Sequence, residues 1–482
     1  MIALSAAITT SIIRICVVIN NCSNIRLIDV YKFIKLFKRI KMKLSKYSSK
    51  FSKKQIILLS IPVFFSNLAI PLVGMVDTGL MGNLGETKYL AATSIATSVM
   101  TMIIWSFCFL RMGTVGIVSQ AYGKGDYREI IKTLLRNFVI AMLIALVIII
   151  LKPLINHSIH HFFNTSQETK ELINTYLNVR VFSVPAELSI YILVGFYLGI
   201  QKTKISSLMI VLLSILNIIL SSLLVLSFDL NIFGVVLGTL IASYTTLIIF
   251  TFFTYNFIIK KFKIIPRFEK LIIKSKLLKL FNINLDIFIR TLFLTFSFLW
   301  VTYLGSKLGD DYLAVNTILM QFIILSAFFL DAFAFSTEGI IGFTVGRKNK
   351  TSFLSVVKNS IQVSFFTAII ISIIYLIFFK QIINIITDIE ILRFISYQHI
   401  FWIIIIPPLA SFCYQLDGIF IGASQTKEIR NAMIVSVLSF IAISIYLTRY
   451  FENHGIWFSL MLFMILRALT LQFYFKKILR KF

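Results

Sequence analysis

The sequence predicts an all-α integral membrane protein, with twelve transmembrane helices in two six-helix bundles related by an internal repeat. Three observations carry this prediction. Long apolar runs recur along the chain, positive charge is concentrated in alternate connections between them, and the two halves share residues at a constant offset. The 482 residues are 58% hydrophobic and only 14% charged. Soluble domains carry roughly a quarter charged residues, and a disordered chain lacks this apolar content, so both classes are excluded.

A bilayer core of about 30 Å is crossed by roughly 20 apolar residues in a helix. Runs of that length lie at 55–79, 88–121, 132–156, 172–200, 206–227 and 234–259 in the first half. The second half has them at 277–303, 312–345, 357–383, 390–422, 430–449 and 456–475. They are continuously apolar and lack the period-2 alternation of barrel strands, so helices are the only spanning structure available. Of the 47 Lys and Arg, 36 fall in the N-terminal tail, the loops after even-numbered spans and the C-terminal end. Seven fall in the loops after odd-numbered spans, and four (Arg111, Arg180, Arg290, Arg467) lie within spans. The positive-inside rule then places both termini in the cytoplasm of a multi-pass cell-membrane protein, the inner or plasma membrane. The net charge of +27 is thus largely a matter of topology, and no nucleic-acid partner is expected.

The repeat has an offset of 223 residues. Gly82 matches Gly305, and Tyr89-Leu90-Ala91 matches Tyr312-Leu313-Ala314. Gly116 and Gly123 match Gly339 and Gly346, Pro185 matches Pro408, and Tyr191 matches Tyr414. Gly195, Gly199, Thr203 and Lys204 match Gly418, Gly422, Thr426 and Lys427. Six spans per half is an even number, so both halves enter the membrane in the same direction. They are then related by an axis along the membrane normal, an arrangement found in secondary transporters. The expected organisation is an N-terminal lobe over 55–259, a basic cytoplasmic linker over 260–276 and a C-terminal lobe over 277–482 with a short basic tail. The resulting cavity between lobes suits alternating access.

A charge at membrane depth costs at least about 2.5–3.5 kcal/mol on insertion scales, so each one needs a partner or a role. The acids at issue are Asp77, Glu187, Asp331, Glu338 and Asp417, with Arg111, Arg180 and Arg290 as candidate counter-charges; Asp286 lies near an interface. Read singly, any of them could belong to a buried ion pair across helices. Asp77 stands apart because its span carries Pro62 and Pro71, which remove helix hydrogen bonds and can bend it. A carboxylate above such a hinge can take up and release a proton or Na⁺; the alternative role is a cap at the helix end, although an acid there opposes the macrodipole. Asn217 and Ser221 lie four residues apart on one helix face, and Thr239 adds a third oxygen from the next span. Together with Asp77 they make a candidate cation site, while alone such residues commonly join helices to one another.

Four cysteines (Cys16, Cys22, Cys108, Cys413) form neither a disulfide framework nor a metal pattern. His157, His160 and His161 lack HExxH context and read as a polar loop between spans. Gly123-Lys124-Gly125-Asp126 is not a Walker loop, so neither ATP nor another cofactor is expected.

Several separated motifs resemble the multidrug and toxic compound extrusion (MATE) family, in its DinF-like branch, over roughly residues 55–475. They are Ile70-Pro-Leu-Val-Gly-Met-Val-Asp77-Thr-Gly-Leu-Met-Gly82, Phe109-Leu-Arg111-Met-Gly-Thr-Val-Gly116 and Ala121-Tyr-Gly123 in the first half. In the second half they are Ala314-Val-Asn-Thr, Leu330-Asp331-Ala-Phe-Ala-Phe-Ser-Thr-Glu338 and Tyr414-Gln-Leu-Asp417-Gly418-Ile-Phe-Ile-Gly422-Ala-Ser. The resemblance implies a cation-coupled antiporter that expels organic, often cationic or amphipathic, compounds by alternating access. It implies that Asp77 is the coupling carboxylate, that Pro62 marks the bend of the first helix, and that Asn217 and Thr239 are further oxygen ligands. Where the family often places an aspartate four residues after the asparagine, this chain has Ser221, so a proton is expected as coupling ion ahead of Na⁺. Glu187 is a candidate for the missing charge. Asp331, Glu338 and Asp417 are expected to pair with Arg290, line the cavity or meet the substrate. No enzymatic activity is expected, and the transporter is expected to be a monomer whose partners are small organic molecules and the bilayer.

Residues 1–54 lie outside the resemblance. They read as a basic cytoplasmic extension, either an amphipathic helix on the inner leaflet or a segment upstream of a true start at Met42. Two rival readings are a lipid-linked saccharide flippase, which predicts a strongly basic cavity, and an integral-membrane transferase, which predicts a His/Asp or metal cluster at one interface.

Overall fold

The computed structural model describes residues 51–84, 86–162, 166–264 and 273–482. The expected extension over 1–50 and the middle of the linker, 265–272, lie outside them. Fifteen α-helices make up the described fold. In the N-terminal lobe, α1 is Lys53–Gly82, α2 Thr87–Ser106, α3 Phe109–Lys124 and α4 Tyr127–Ile150. They are followed by α5 Lys152–Phe162, α6 Gln167–Arg180, α7 Val184–Gly199, α8 Thr203–Leu226 and α9 Asn231–Phe262. In the C-terminal lobe, α10 is Lys274–Lys307, α11 Asp310–Gly346, α12 Lys350–Ile386 and α13 Glu390–Gln398. The last two are α14 Ile400–Gly422 and α15 Thr426–Leu479.

Eleven stretches among the described residues are long and apolar enough to cross a membrane. The last of them, α15, is broken at Glu452 (φ 47°, ψ −129°), which divides it into two crossing segments and brings the number to twelve. Short breaks also divide the span formed by α2 and α3, at Phe107–Cys108, and the one formed by α6 and α7, at the 3₁₀ turn Val181–Ser183. Several helix starts are fixed by side chains that accept backbone N–H groups left over at the first turn. Ser52 and Gln55 form a capping box at α1, Asp126 caps α4, Ser166 caps α6 and Asn349 caps α12.

The interior divides into two apolar clusters. One is built mainly from α2–α9 and the other from α10–α15. The linker narrows to 263–273, because α9 runs on to Phe262 and α10 begins at Lys274. Three expectations need correction. The segment holding His157, His160 and His161 is the short helix α5 and not a loop, because the apolar residues of Lys152–Phe162 recur at helical spacing. The run 390–422 is two helices meeting at His399, and the run 132–156 ends its first helix at Ile150.

The lobes meet along a seam that repeats the internal symmetry. A Cβ placed on Gly116 would lie 2.6 Å from the Ile421 carbonyl oxygen, and one on Gly339 would lie 2.3 Å from that of Leu198. Likewise Gly123 faces the Phe343 carbonyl oxygen at 2.3 Å and Gly346 that of Gln120 at 2.2 Å. In both cases the glycine and the carbonyl it faces exchange positions under the offset of 223 seen in the sequence, as a pseudo-two-fold contact requires. Gln120 Nε2 ties the seam further, donating to the Gly422 carbonyl (3.0 Å) and to Ser424 Oγ (2.9 Å). The seam lies toward the end of the bundle that carries the Lys- and Arg-rich connections.

Candidate functional site

Asp77 sits five residues before the end of α1, which passes unbroken through Pro62 and Pro71. Asp77 is 8% exposed, and its Oδ1 is buried without a hydrogen-bond partner. It does not cap the helix. Asn83 occupies the cap, its Nδ2 donating to the Gly79 carbonyl at 2.7 Å. Asp77 instead lines a cavity of ≈ 540 Å³ between α1, α2 and α10. Its neighbours there include Thr93, Ser94, Thr97, Ser98 and Thr101 of α2, and Thr295 of α10.

Behind this cavity, Arg180 at the end of α6 is gripped by Glu187 of α7 and by Ser183 of the intervening turn. Glu187 is therefore committed to Arg180, which leaves it bound on α6–α7 instead of completing the oxygen cluster. Tyr176 of α6 accepts a hydrogen bond from Thr97 at 3.1 Å, linking this group to the cavity wall.

Asn217, Ser221 and Thr239 do come together. Asn217 Nδ2 donates to Thr239 Oγ1 (2.9 Å), Thr239 Oγ1 donates to the Val235 carbonyl (3.1 Å), and Ser221 Oγ donates to that same carbonyl (3.2 Å). These bonds join α8 to α9 where Gly238 brings the two backbones close. No hydrogen bond among the described residues joins the trio to Asp77, and none of the three lines the Asp77 cavity. In this structure they are two separate features.

The remaining charges gather between the lobes and inside the C-terminal lobe. Arg111 of α3 reaches across the lobe boundary to Glu338 of α11, Nη1 to Oε2 3.4 Å, and its guanidinium lies over the Phe335 ring, 3.8 Å from the centroid. Asp417 of α14 is shared by Arg290 of α10 and Arg467 of α15, the latter at 2.8 Å. Asp331 of α11 makes no hydrogen bond or ion pair among the described residues but lies in the field of Arg290, Arg111 and Arg467. Near the basic end, Asp286 is held by Arg430 at 2.6 Å and by Thr426 at 2.9 Å.

The bookkeeping of charge separates the two regions. Three arginines (Arg111, Arg290, Arg467) face three acids (Asp331, Glu338, Asp417), so that group is balanced. In the N-terminal lobe one arginine, Arg180, faces two acids, Glu187 and Asp77, and only Glu187 is bonded to it. Asp77 is left over. The sequence reading placed Arg467 within a span but did not assign it a partner, and it passed over the hydroxyls of α2. For the latter the signal was present, because Thr93, Thr97 and Thr101 recur every four residues.

Comparison with known proteins bears on most of the chain. The MatE family model matches twice, at residues 62–223 and 287–448. The DNA damage-inducible protein F of Escherichia coli (strain K12) is 32% identical over 414 residues, covering 86% of this chain and 90% of that protein. The multidrug export protein MepA of Staphylococcus saprophyticus is 26% identical over 187 residues, 38% of this chain and 41% of that protein. Among solved structures, a mutant MATE transporter superposes with a TM-score of 0.81 at 16% identity, covering 90% of this chain and 97% of that one. A mutant of the Vibrio cholerae MATE transporter VcmN gives 0.79 at 18% identity, covering 89% and 97%. At these identities the structural likeness speaks to the fold.

Proposed function

The chain belongs to the MatE family of membrane transporters, and on that premise we propose that it is a secondary antiporter exporting organic, cationic or amphipathic compounds in exchange for protons. Its site is the cell membrane, with both termini in the cytoplasm. The export of multiple compounds is suggested by the likeness to MepA, a multidrug export protein. The observation that carries the coupling is Asp77, the one intramembrane acid of the N-terminal lobe that lacks a bonded cation among the described residues, buried at the wall of a cavity of ≈ 540 Å³.

A lone carboxylate at membrane depth is costly as an anion. It is relieved either by a proton or by a cationic substrate, and the two compete for the same oxygens. That competition is what antiport requires, since one ligand must leave before the other binds. Alternating access then needs two arrangements of the lobes. The glycine seam closes the end with the basic connections, which the charge distribution assigns to the cytoplasm, and Asp77 lies toward the opposite end. This geometry supports an outward-facing state in which Asp77 loads a proton from outside. A proton is favoured over Na⁺ because Asn217, Ser221 and Thr239 spend their hydrogen-bonding groups on one another and on the Val235 carbonyl. A saccharide flippase draws no support here, because Asp77 is the only charged group lining the cavity among the described residues.

The test is drug-induced collapse of an imposed pH gradient in everted vesicles. Organic cations collapse the gradient with the wild-type protein and fail to do so with Asp77→Asn at equal membrane level. Collapse that persists undiminished in Asp77→Asn removes Asp77 from the coupling. Collapse that requires an imposed Na⁺ gradient replaces the proton.

A further inference from the structure

Ser and Thr hydroxyls in apolar helices usually donate back to the carbonyl one turn earlier, which hides them from hydrocarbon. This protein follows that habit widely: Ser60 to Ile56, Thr114 to Leu110, Ser243 to Thr239 and Thr317 to Leu313. On the cavity face of α2, Ser106 at the end of the helix follows it by donating to the Met102 carbonyl, but the residues before it depart from it. Thr93, Ser94, Ser98 and Thr101 make no hydrogen bond among the described residues, and all four line the cavity. Thr93 Oγ1 is buried without a partner, on a residue only 4% exposed. Thr97, between them, donates to Tyr176 and keeps its lone pairs.

At 1.5 Å per residue, Thr93, Thr97 and Thr101 stand about 6 Å apart, with Ser94 and Ser98 beside them, so the hydroxyls form a ladder about 12 Å long. At its side is the unpartnered Oδ1 of Asp77. Two buried polar atoms, a carboxyl oxygen and a hydroxyl, thus belong to residues that line the same cavity and have no hydrogen-bond partner among the described residues. A buried polar group left unbonded is destabilising, so this wall is built for a ligand that supplies both kinds of partner.

Resting on the antiport reading above, we infer that the α2 ladder selects substrates that carry hydroxyl or ether groups beside their ammonium group, the chemistry of an amine-bearing polyol or amino sugar. Asp77 receives the ammonium, and Thr93, Ser94, Ser98 and Thr101 exchange hydrogen bonds with the hydroxyls. A hydroxyl ladder discriminates because it both donates and accepts. A substrate without hydroxyls leaves the ladder's groups unpaired once it has displaced their water.

A matched pair of cations tests this. N-methylglucamine and N-methylhexylamine have the same carbon skeleton and charge and differ by five hydroxyls. Their equilibrium binding to the full chain in lipid nanodiscs is measured by calorimetry, with empty nanodiscs subtracted. Each neutral hydrogen bond is worth roughly a factor of two to ten, so the wild type binds the glucamine at least about tenfold tighter. In the variant Thr93→Val, Ser94→Ala, Ser98→Ala, Thr101→Val the ratio falls to about one or below, while N-methylhexylamine binding is retained. Thr101→Val with Ser98→Ala alone, both on exposed positions, gives a partial fall and covers the case in which the fourfold variant does not fold. Equal binding of the two amines by the wild type, as for a ladder that only hydrates Asp77, overturns the inference. So does a preference that survives removal of the hydroxyls, or binding of neither amine. The antiport reading is judged separately, by the Asp77-dependent gradient collapse with aromatic cations.

Discussion

Gly346→Ala is the sharpest probe of how the basic end of the bundle is closed. A Cβ at this position would lie 2.2 Å from the Gln120 carbonyl oxygen, where ordinary contact begins near 3.4 Å, so the helices must separate by about 1.2 Å. The obstructing atoms are Gln120 O, C and Cα, all backbone, and no side-chain rotation relieves the clash. Overpacking of a tight interface costs roughly 1–3 kcal/mol. If the seam forms in only one of two arrangements of the lobes, that cost falls on the closed arrangement alone. The ratio of closed to open then shifts by a factor of roughly 5 to 150. The symmetric change Gly123→Ala meets the Phe343 carbonyl at 2.3 Å and shifts the ratio in the same direction. Gly79→Ala, with nothing within 4 Å, is the control. The assay is a spin-label distance between Lys124→Cys and Lys350→Cys in a background lacking the native cysteines. These positions lie at the end of α3 and the start of α12. Both glycine variants shift the distribution to longer distances, and the control does not. An unchanged distribution in a folded Gly346→Ala protein refutes the idea that this seam holds the end shut.

Arg111→Gln leaves Glu338, 1% exposed, as an unpaired buried acid, and costs about 3–5 kcal/mol of stability. The double variant Arg111→Gln, Glu338→Gln recovers much of that loss, and thermal unfolding of the single and double variants in detergent measures the coupling. Thr239→Val removes the hydroxyl that Asn217 bonds and lowers stability by about 1 kcal/mol while leaving the pH dependence of transport in place. A shifted pH profile in that variant would instead bring the trio into the coupling site. Burial, with like charge from Lys279 and Lys124, pushes the Lys481 ammonium down to about 8. The unfolded chain keeps that proton to about 10.4, so between the two values it binds more protons than the folded protein. Melting temperature therefore gains a contribution as pH rises from about 7.5 to 10, and Lys481→Met removes it.

The parts legible in the sequence are those whose physical cause is local or repeated. A span announces itself because lipid demands some 20 apolar residues in succession, and its direction follows from the charges in the adjoining loop. The exceptions follow the same logic. The division of 390–422 at His399 depends on backbone torsions that hydropathy does not register, whereas the break at Glu452 falls in the gap the sequence leaves between the runs 430–449 and 456–475. Charge pairing was legible only as a shortage of partners. Arg111 and Glu338 are 227 positions apart, and nothing in either segment says which of several opposite charges will be nearest. Arg467 was visible as an intramembrane cation, yet its partnership with Asp417 requires α14 and α15 to pack in one particular rotation.

The glycines and the α2 hydroxyls mark the boundary between these cases. Matching glycines 223 residues apart were visible in the sequence, and a pseudo-two-fold turns that offset into contacts, with Gly339 meeting Leu198 just as Gly116 meets Ile421. Sequence symmetry thus became structural symmetry once an axis was supplied. The hydroxyls have no such mate. The residues 223 positions on from Thr93, Ser94, Thr97, Ser98 and Thr101 are Asn316, Thr317, Met320, Gln321 and Ile324, so the ladder is confined to one lobe. Those counterparts line a smaller cavity of ≈ 220 Å³ beside α10, in which Asn316 is already bonded to Asn453 and Trp457. The two copies of one ancestral surface have diverged in opposite senses. The C-terminal copy ties Asn316 into its lobe, while the N-terminal copy leaves four of its hydroxyls unbonded beside Asp77, which has no bonded cation. An asymmetry of this kind, in a protein otherwise faithful to its repeat, is the reason the proposed coupling and substrate contacts are assigned to the N-terminal lobe and not to its C-terminal counterpart.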